Sequence, residues 1–170
     1  MNILVLMGSP NANGNTAFMT EAFAEGARAK GHDVRIINAG SSSIAGCRAC
    51  EYCHTAGNGN CCVKDDMQEI YPLLDKTDML VLASPVYYWG FSTQLQAVIT
   101  RFYAPNILKI KKYALLLSSY SEGVYDAPVS QYKSMVGYFS GENMGIITSA
   151  DSTNKTQQIK EKCFALGNRL

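Results

Sequence analysis

The chain has 170 residues, enough for one domain with a full core. Lys and Arg number 15 against 14 Asp and Glu, a net charge of +1, which gives no reason to expect nucleic acid or an anionic membrane as partner. The first apolar run is short and lacks a basic lead, so neither a signal peptide nor a membrane span is expected, and a cytoplasmic setting follows as the default. Thiols stay reduced there, so the six cysteines argue for metal or redox chemistry over structural disulfides.

Residues 2–7, with Ile3-Leu4-Val5-Leu6-Met7, read as a buried strand. The polar turn Gly8-Ser9-Pro10-Asn11-Ala12-Asn13-Gly14-Asn15-Thr16 follows. Thr16 to Lys30 reads as a helix with Phe18, Ala22, Phe23 and Ala27 on one face, ended by Gly31, and Asn15 or Thr16 is its expected cap. Strand, polar turn and helix together present unpaired N–H groups and a partial positive charge to an anion. Ser9, Asn11, Asn15 and Thr16 add hydrogen-bonding side chains, and Gly14 allows close approach. The dinucleotide fingerprint and the Gly-Lys-Ser/Thr ending of a triphosphate loop are both absent. No Lys occurs in residues 1–29, so the turn suits a small phosphate monoester.

Val34 to Ile37 is a second strand, after His32, which is expected to be solvated. Residues 39–65 carry no period and read as a long functional loop. Within it, Cys47-Arg48-Ala49-Cys50-Glu51-Tyr52-Cys53 and then Cys61-Cys62 present thiols at a spacing that suits an iron–sulfur cluster, with Cys47, Cys50, Cys53 and Cys61 as candidate ligands. Tetrahedral zinc, or a metal-free dithiol loop, are the alternatives. His54 in that loop is expected at the surface. Asp66 to Glu69 forms a capping box for a short helix that Pro72 should break or bend.

Asp78 to Ala83 is a third strand, apolar enough for the middle of a parallel sheet. The loop Ser84-Pro85-Val86-Tyr87-Tyr88-Trp89-Gly90 follows, and its aromatic rings offer flat surfaces to a flat ligand. Thr93 to Gln96 is a second capping box, opening a helix with Leu95, Val98, Ile99 and Phe102 inward and with Arg101 in a structural role. Tyr113 to Leu117 is a fourth strand, and Ser118-Ser119-Tyr120-Ser121-Glu122-Gly123 its loop. Val129, Tyr132, Val136 and Phe139 mark a helix, Met144 to Thr148 a fifth strand, and Ile159, Cys163, Leu166 and Leu170 the inner face of the last helix.

The alternation predicts one α/β domain over 1–170, a doubly wound five-stranded parallel sheet of order 2-1-3-4-5 with helices on both faces. Its switch point would gather the loops 8–16, 84–90 and 118–123. A phosphate-type turn beside a planar-ligand turn suits FMN. Two rivals on this fold lack their chemistry. No Asp ends the third strand, as a phosphoacceptor would need, and no Cys and Arg bracket the first turn, as a low-molecular-weight phosphatase would need.

Gly8-Ser9-Pro10 with Gly14-Asn15-Thr16 resembles the phosphate loop of the NADPH-dependent FMN reductase group of flavodoxin-like proteins. Ser84-Pro85-Val86-Tyr87 with Gly90, then Gln94-Leu95-Gln96 and Arg101-Phe102, resembles its second flavin loop and helix. Gly46-Cys47 through Cys61-Cys62, with Asp65-Asp66-Met67, resembles the subset that includes the iron–sulfur flavoproteins. Thr100 departs from the acidic residue common there. The resemblance implies FMN, a nicotinamide donor (NADPH or NADH), a quinone, flavin or nitro compound as acceptor, and a homodimer or homotetramer. A non-catalytic carrier with FMN plus a cluster is the alternative, and a zinc-stabilised interaction domain a weaker one. No catalytic side chain is nominated, because the flavin would carry the chemistry.

Overall fold

A computed structural model describes residues 1–104 and 109–170. In chain order the elements are β1 (Asn2–Met7), α1 (Asn15–Ala29), β2 (Asp33–Ile37), α2 (Met67–Leu74), β3 (Met79–Tyr87), β4 (Gly90–Phe91), α3 (Thr93–Arg101), β5 (Lys112–Ser119), α4 (Asp126–Tyr138), β6 (Glu142–Ala150) and α5 (Gln157–Asn168).

The sheet is six-stranded, not five-stranded. Five strands pair in parallel in the order β2-β1-β3-β5-β6. The extra strand, β4, pairs antiparallel with β3 through Val86↔Phe91 and Tyr87↔Gly90. The expected loop 84–90 is therefore mostly a hairpin. β3 runs four residues past its apolar stretch because Ser84 and Pro85 still pair with Leu117 and Ser118 of β5.

Period-two alternation sends the strand side chains to two cores. Leu4, Leu6, Leu80, Leu82, Leu115 and Leu117 face one side, where α2, α3 and α4 contribute Ile70, Leu95, Val98, Tyr132 and Val136. Ile3, Val5, Met79, Val81, Ala114 and Leu116 face the other, against Phe23, Ala27, Ile159 and Cys163 of α1 and α5. Burying each such Leu, Ile, Val or Phe contributes roughly 1.5–3 kcal/mol. Cys163 is fully buried, as expected of the inner face of the last helix. α1 and α5 pack closely enough that a Cβ at Gly26 would strike the Phe164 carbonyl.

Several local expectations shift. Gly14, not Asn15 or Thr16, is the N-cap of α1, and no side chain caps it. Ser92, not Thr93, caps α3, its Oγ accepting from Leu95 N at 3.3 Å. Asp66 caps α2 without a side-chain bond: Asp65 Oδ1 takes the Met67 N–H at 3.2 Å, while Asp66 Oδ2 takes the Ser43 N–H at 2.7 Å. Pro72 lies inside α2 rather than breaking it, on an exposed position in a helix that ends two residues later. His32 is half-buried rather than solvated, its ring reaching the Met1 amine at 3.4 Å and the Leu170 carbonyl at 3.3 Å. Among the described residues no helix is long and apolar enough to cross a membrane.

Candidate functional site

The chain leaves β1 toward β2 and later returns to place β3 on β1's other side. The loops after β1 and β3 therefore diverge, and a cleft opens beyond the carboxyl ends of the strands. Its volume is about 560 Å³, inside the ~300–1,000 Å³ range of small-molecule sites.

One wall is the turn after β1. Ser9 and Thr16 are buried, and Ser9 Oγ accepts the Asn11 N–H at 3.2 Å. Asn11 Oδ1 takes the Asn13 N–H at 3.0 Å. The first turn of α1 carries no acidic residue and no side-chain cap, so its N–H donors face the cleft mouth uncompensated. Gly8 is required by packing: a Cβ there would lie 2.5 Å from Ser92 Oγ and 2.6 Å from Leu95 Cβ. Ser92 Oγ donates to the Gly8 carbonyl at 2.7 Å, and Ser92 N–H donates to Ser84 Oγ at 2.9 Å. This chain of bonds fixes the first turn against the second.

The second wall is Pro85, Val86 and Tyr87 at the end of β3, and the third is Ser118, Ser119 and Tyr120 at the end of β5. Thr16 and Ser118 share a hydroxyl–hydroxyl bond of 2.7 Å across the floor. Of the residues singled out in the sequence, Ser9, Asn11, Gly14, Asn15, Thr16, Pro85, Val86, Tyr87, Ser118, Ser119 and Tyr120 line this one cleft. Tyr88, Trp89 and Gly90 do not; they form the turn beyond it. Tyr88 and Trp89 both have positive φ, 47° and 59°, and are 96% and 58% exposed.

Four lining residues carried no signal of their own: Asn13, Asp151, Asn154 and Lys155. The last three follow β6. Asn154 Nδ2 donates to the Ser119 carbonyl at 2.8 Å, and Lys155 Nζ donates to the Asn13 carbonyl at 2.7 Å. The available hint was a polar run, Asp151 to Thr156, at the carboxyl end of the last parallel strand. The cleft thus has a cation the first turn itself lacks.

This set fits a phosphorylated planar ligand: uncapped N–H groups and hydroxyls at one end, the wall Pro85-Val86-Tyr87 and Tyr120 at the other. Titrating groups with resolved shifts lie elsewhere, chiefly around Arg101. That guanidinium is 1% exposed and donates to Asp65 Oδ2 at 2.8 Å, the Ala45 carbonyl at 2.9 Å and Tyr71 Oη at 3.1 Å. Burial alone would raise the Asp65 carboxyl; the Arg101 bond and charge with the Ala45 and Met67 N–H groups outweigh it and hold Asp65 below the usual range. Burial pushes Tyr71 up to about 12.

Arg101 and Asp65 anchor the cysteine loop. Thr100 Oγ1 accepts the Cys47 N–H at 3.1 Å. Cys47, Cys50, Cys53, Cys61 and Cys62 line one hollow of about 20 Å³. That is room for about one water, less than a cubane fills. Among the described residues no three His, Cys, Asp or Glu side chains converge to hold a metal ion. The thiols are right in kind for a cluster, and the loop as folded does not fit one. His54 is exposed, edge-on to Tyr103 with ring centroids 4.4 Å apart.

Parallel order, two covered faces and a cleft at the switch point define a flavodoxin-like α/β protein. Residues 1–153 match the family described as NADPH-dependent FMN reductase, and the chain belongs to that family of flavin-dependent oxidoreductases. An iron–sulfur flavoprotein of Archaeoglobus fulgidus is 33% identical over 101 residues, covering 59% of this chain and 45% of that protein. One of Methanosarcina thermophila is 30% identical over 115 residues, covering 68% of this chain and 58% of that protein. The chain spans about half the length of the curated relatives it matches. The NAD(P)H:quinone oxidoreductase from Methanothermobacter marburgensis superposes with a TM-score of 0.74 at 16% identity, over 99% of this chain and 93% of that one, a likeness of fold.

Proposed function

We propose that this protein is an FMN-dependent oxidoreductase that passes electrons from NADPH or NADH to a small acceptor such as a quinone, a flavin or a nitro compound. The observation that carries this reading is the three-walled cleft, whose phosphate-type turn and planar-ligand wall lie at one switch point in a chain of this family. Bound FMN would supply hydride acceptance and electron delivery. The uncapped start of α1 with Ser9, Asn11, Asn15 and Thr16 would hold its phosphate. Pro85, Val86 and Tyr87 on one side and Ser118, Ser119 and Tyr120 on the other would orient its ring and limit water. Tyr88, Trp89 and Gly90 stand at the rim, where an acceptor or a neighbouring subunit would meet them. A homodimer or homotetramer in the cytoplasm completes the reading.

The test begins with binding. Apoprotein is titrated with FMN and followed by quenching of flavin fluorescence, then assayed for NADPH oxidation with a quinone. Saturable 1:1 uptake and turnover above that of free FMN support the proposal; absence of FMN uptake refutes it. A second reading, an electron carrier with FMN plus a cluster on Cys47, Cys50, Cys53 and Cys61, is favoured by their spacing and by the iron–sulfur flavoprotein names of the relatives. Iron and sulfide in stoichiometric amounts, with FMN but no turnover, would favour it.

A further inference from the structure

Five cysteines surround the small hollow beside Arg101, and two of them are already in contact. Cys50 Sγ lies 3.7 Å from Cys62 Sγ, and both residues are exposed. Cys53 is buried, and Cys47 Sγ instead accepts the Ala49 N–H at 3.4 Å. The backbone holds Cys50 in place by unusual means. Its neighbours Ala49 and Glu51 both adopt left-handed φ, 52° and 56°, a conformation that costs a non-glycine residue about 1–2 kcal/mol. Tight support keeps it so: both Glu51 carboxylate oxygens accept from Tyr103 Oη at 3.1 Å, and the loop ends are bound at Ala45 and Asp65 by one guanidinium. Strain so supported at one residue pair is the usual mark of a functional site.

We infer that Cys50 and Cys62 are a redox-active dithiol that closes to an intramolecular disulfide. The sulfurs need to approach to about 2.05 Å, a movement within reach of side-chain rotation from their present contact. The co-reactant is a small-molecule disulfide. One cysteine thiolate attacks a sulfur of that disulfide, its S–S bond breaks, and one thiol leaves. The second cysteine thiolate then attacks the mixed disulfide, the Cys50–Cys62 bond forms, and the second thiol leaves. The two cysteines lose two electrons and two protons, and the small disulfide gains both. A cluster on Cys47, Cys50, Cys53 and Cys61 would use Cys50 differently, so the two states exclude each other. The inference does not depend on flavin.

The experiment uses the whole chain, purified anaerobically, reduced and exposed to glutathione disulfide. Remaining thiols are alkylated, counted by intact mass and located by peptide mapping. Wild type should lose two of its six free thiols together, with one cross-linked peptide pair joining Cys50 and Cys62 and no lasting glutathione adduct. Cys62→Ser should accumulate the adduct on Cys50, and Cys61→Ser should behave as wild type. A disulfide between any other pair, or no loss of thiols, overturns the inference. So does protection of Cys47, Cys50, Cys53 and Cys61 with iron and sulfide bound, leaving Cys62 as a lone reactive thiol.

Discussion

Lys155 and Asn13 stand 142 residues apart in sequence and 2.7 Å apart in space. The ammonium has three donors and spends one on the Asn13 carbonyl, leaving two for an anion in the cleft. Asp151 in the same wall partly offsets its charge. A hydrogen bond to a charged partner contributes more than a neutral one, so Lys155→Met should weaken FMN binding about tenfold. Riboflavin, which has no phosphate, should bind wild type and variant alike. Lys155→Gln separates two roles: it keeps a donor for Asn13 but no charge. Equal loss in both variants assigns the charge to the phosphate; full retention by Gln assigns Lys155 to loop support alone. Fluorescence titration with both flavins reads the difference. Residues such as Ser9, Asn11 and Thr16 were legible because a local strand–turn–helix pattern marks them. Lys155 was not, because only the pairing of β5 with β6 brings the segment 151–155 to the cleft.

At the level of elements, the β3–β4 hairpin turns through Tyr88 and Trp89, both with positive φ. Two-residue hairpins of that kind favour Asn-Gly, since bulky residues are strained there. Aromatic side chains in those positions, largely exposed, give up stability for surface at the cleft rim. Tyr88→Asn with Trp89→Gly should therefore raise stability by about 1–2 kcal/mol, or Tm by about 2–6 °C. The same double variant should retain FMN binding and lose kcat/KM for the acceptor. Calorimetry and steady-state assay check both halves; unchanged kcat/KM would leave the aromatic pair without a role in acceptor use. The apolar period of β1, β3 and β5 was plain in the sequence, and their pairing order followed from handedness rules. The hairpin was missed because Ser84-Pro85-Val86-Tyr87 pairs in a sheet whose period the proline and the short return strand conceal.

Across the whole molecule, Arg101 ties the cysteine loop to the domain. It is fully enclosed, 1% exposed, and faces Asp65, Ala45 and Tyr71, so its charge is compensated only while the loop is docked. No sequence period links residues 65 and 101; the pairing arises because α3 packs behind β3 while the loop returns across it. Removing one partner of a buried pair leaves the other uncompensated, so Asp65→Ala should lower stability by about 3–5 kcal/mol. The pH dependence has a fixed sign. Asp65 titrates lower in the folded chain than its unfolded value of about 3.9. Its contribution is therefore present in full above that unfolded value and is lost as pH falls through the folded one. Wild type should lose stability over that acid interval more steeply than Asp65→Asn, measured by urea unfolding at successive pH values. Because the same guanidinium holds both ends of the loop, Asp65→Asn should also speed alkylation of Cys53, the buried thiol, at neutral pH. Equal alkylation rates in variant and wild type would mean that the loop is held by contacts other than Arg101.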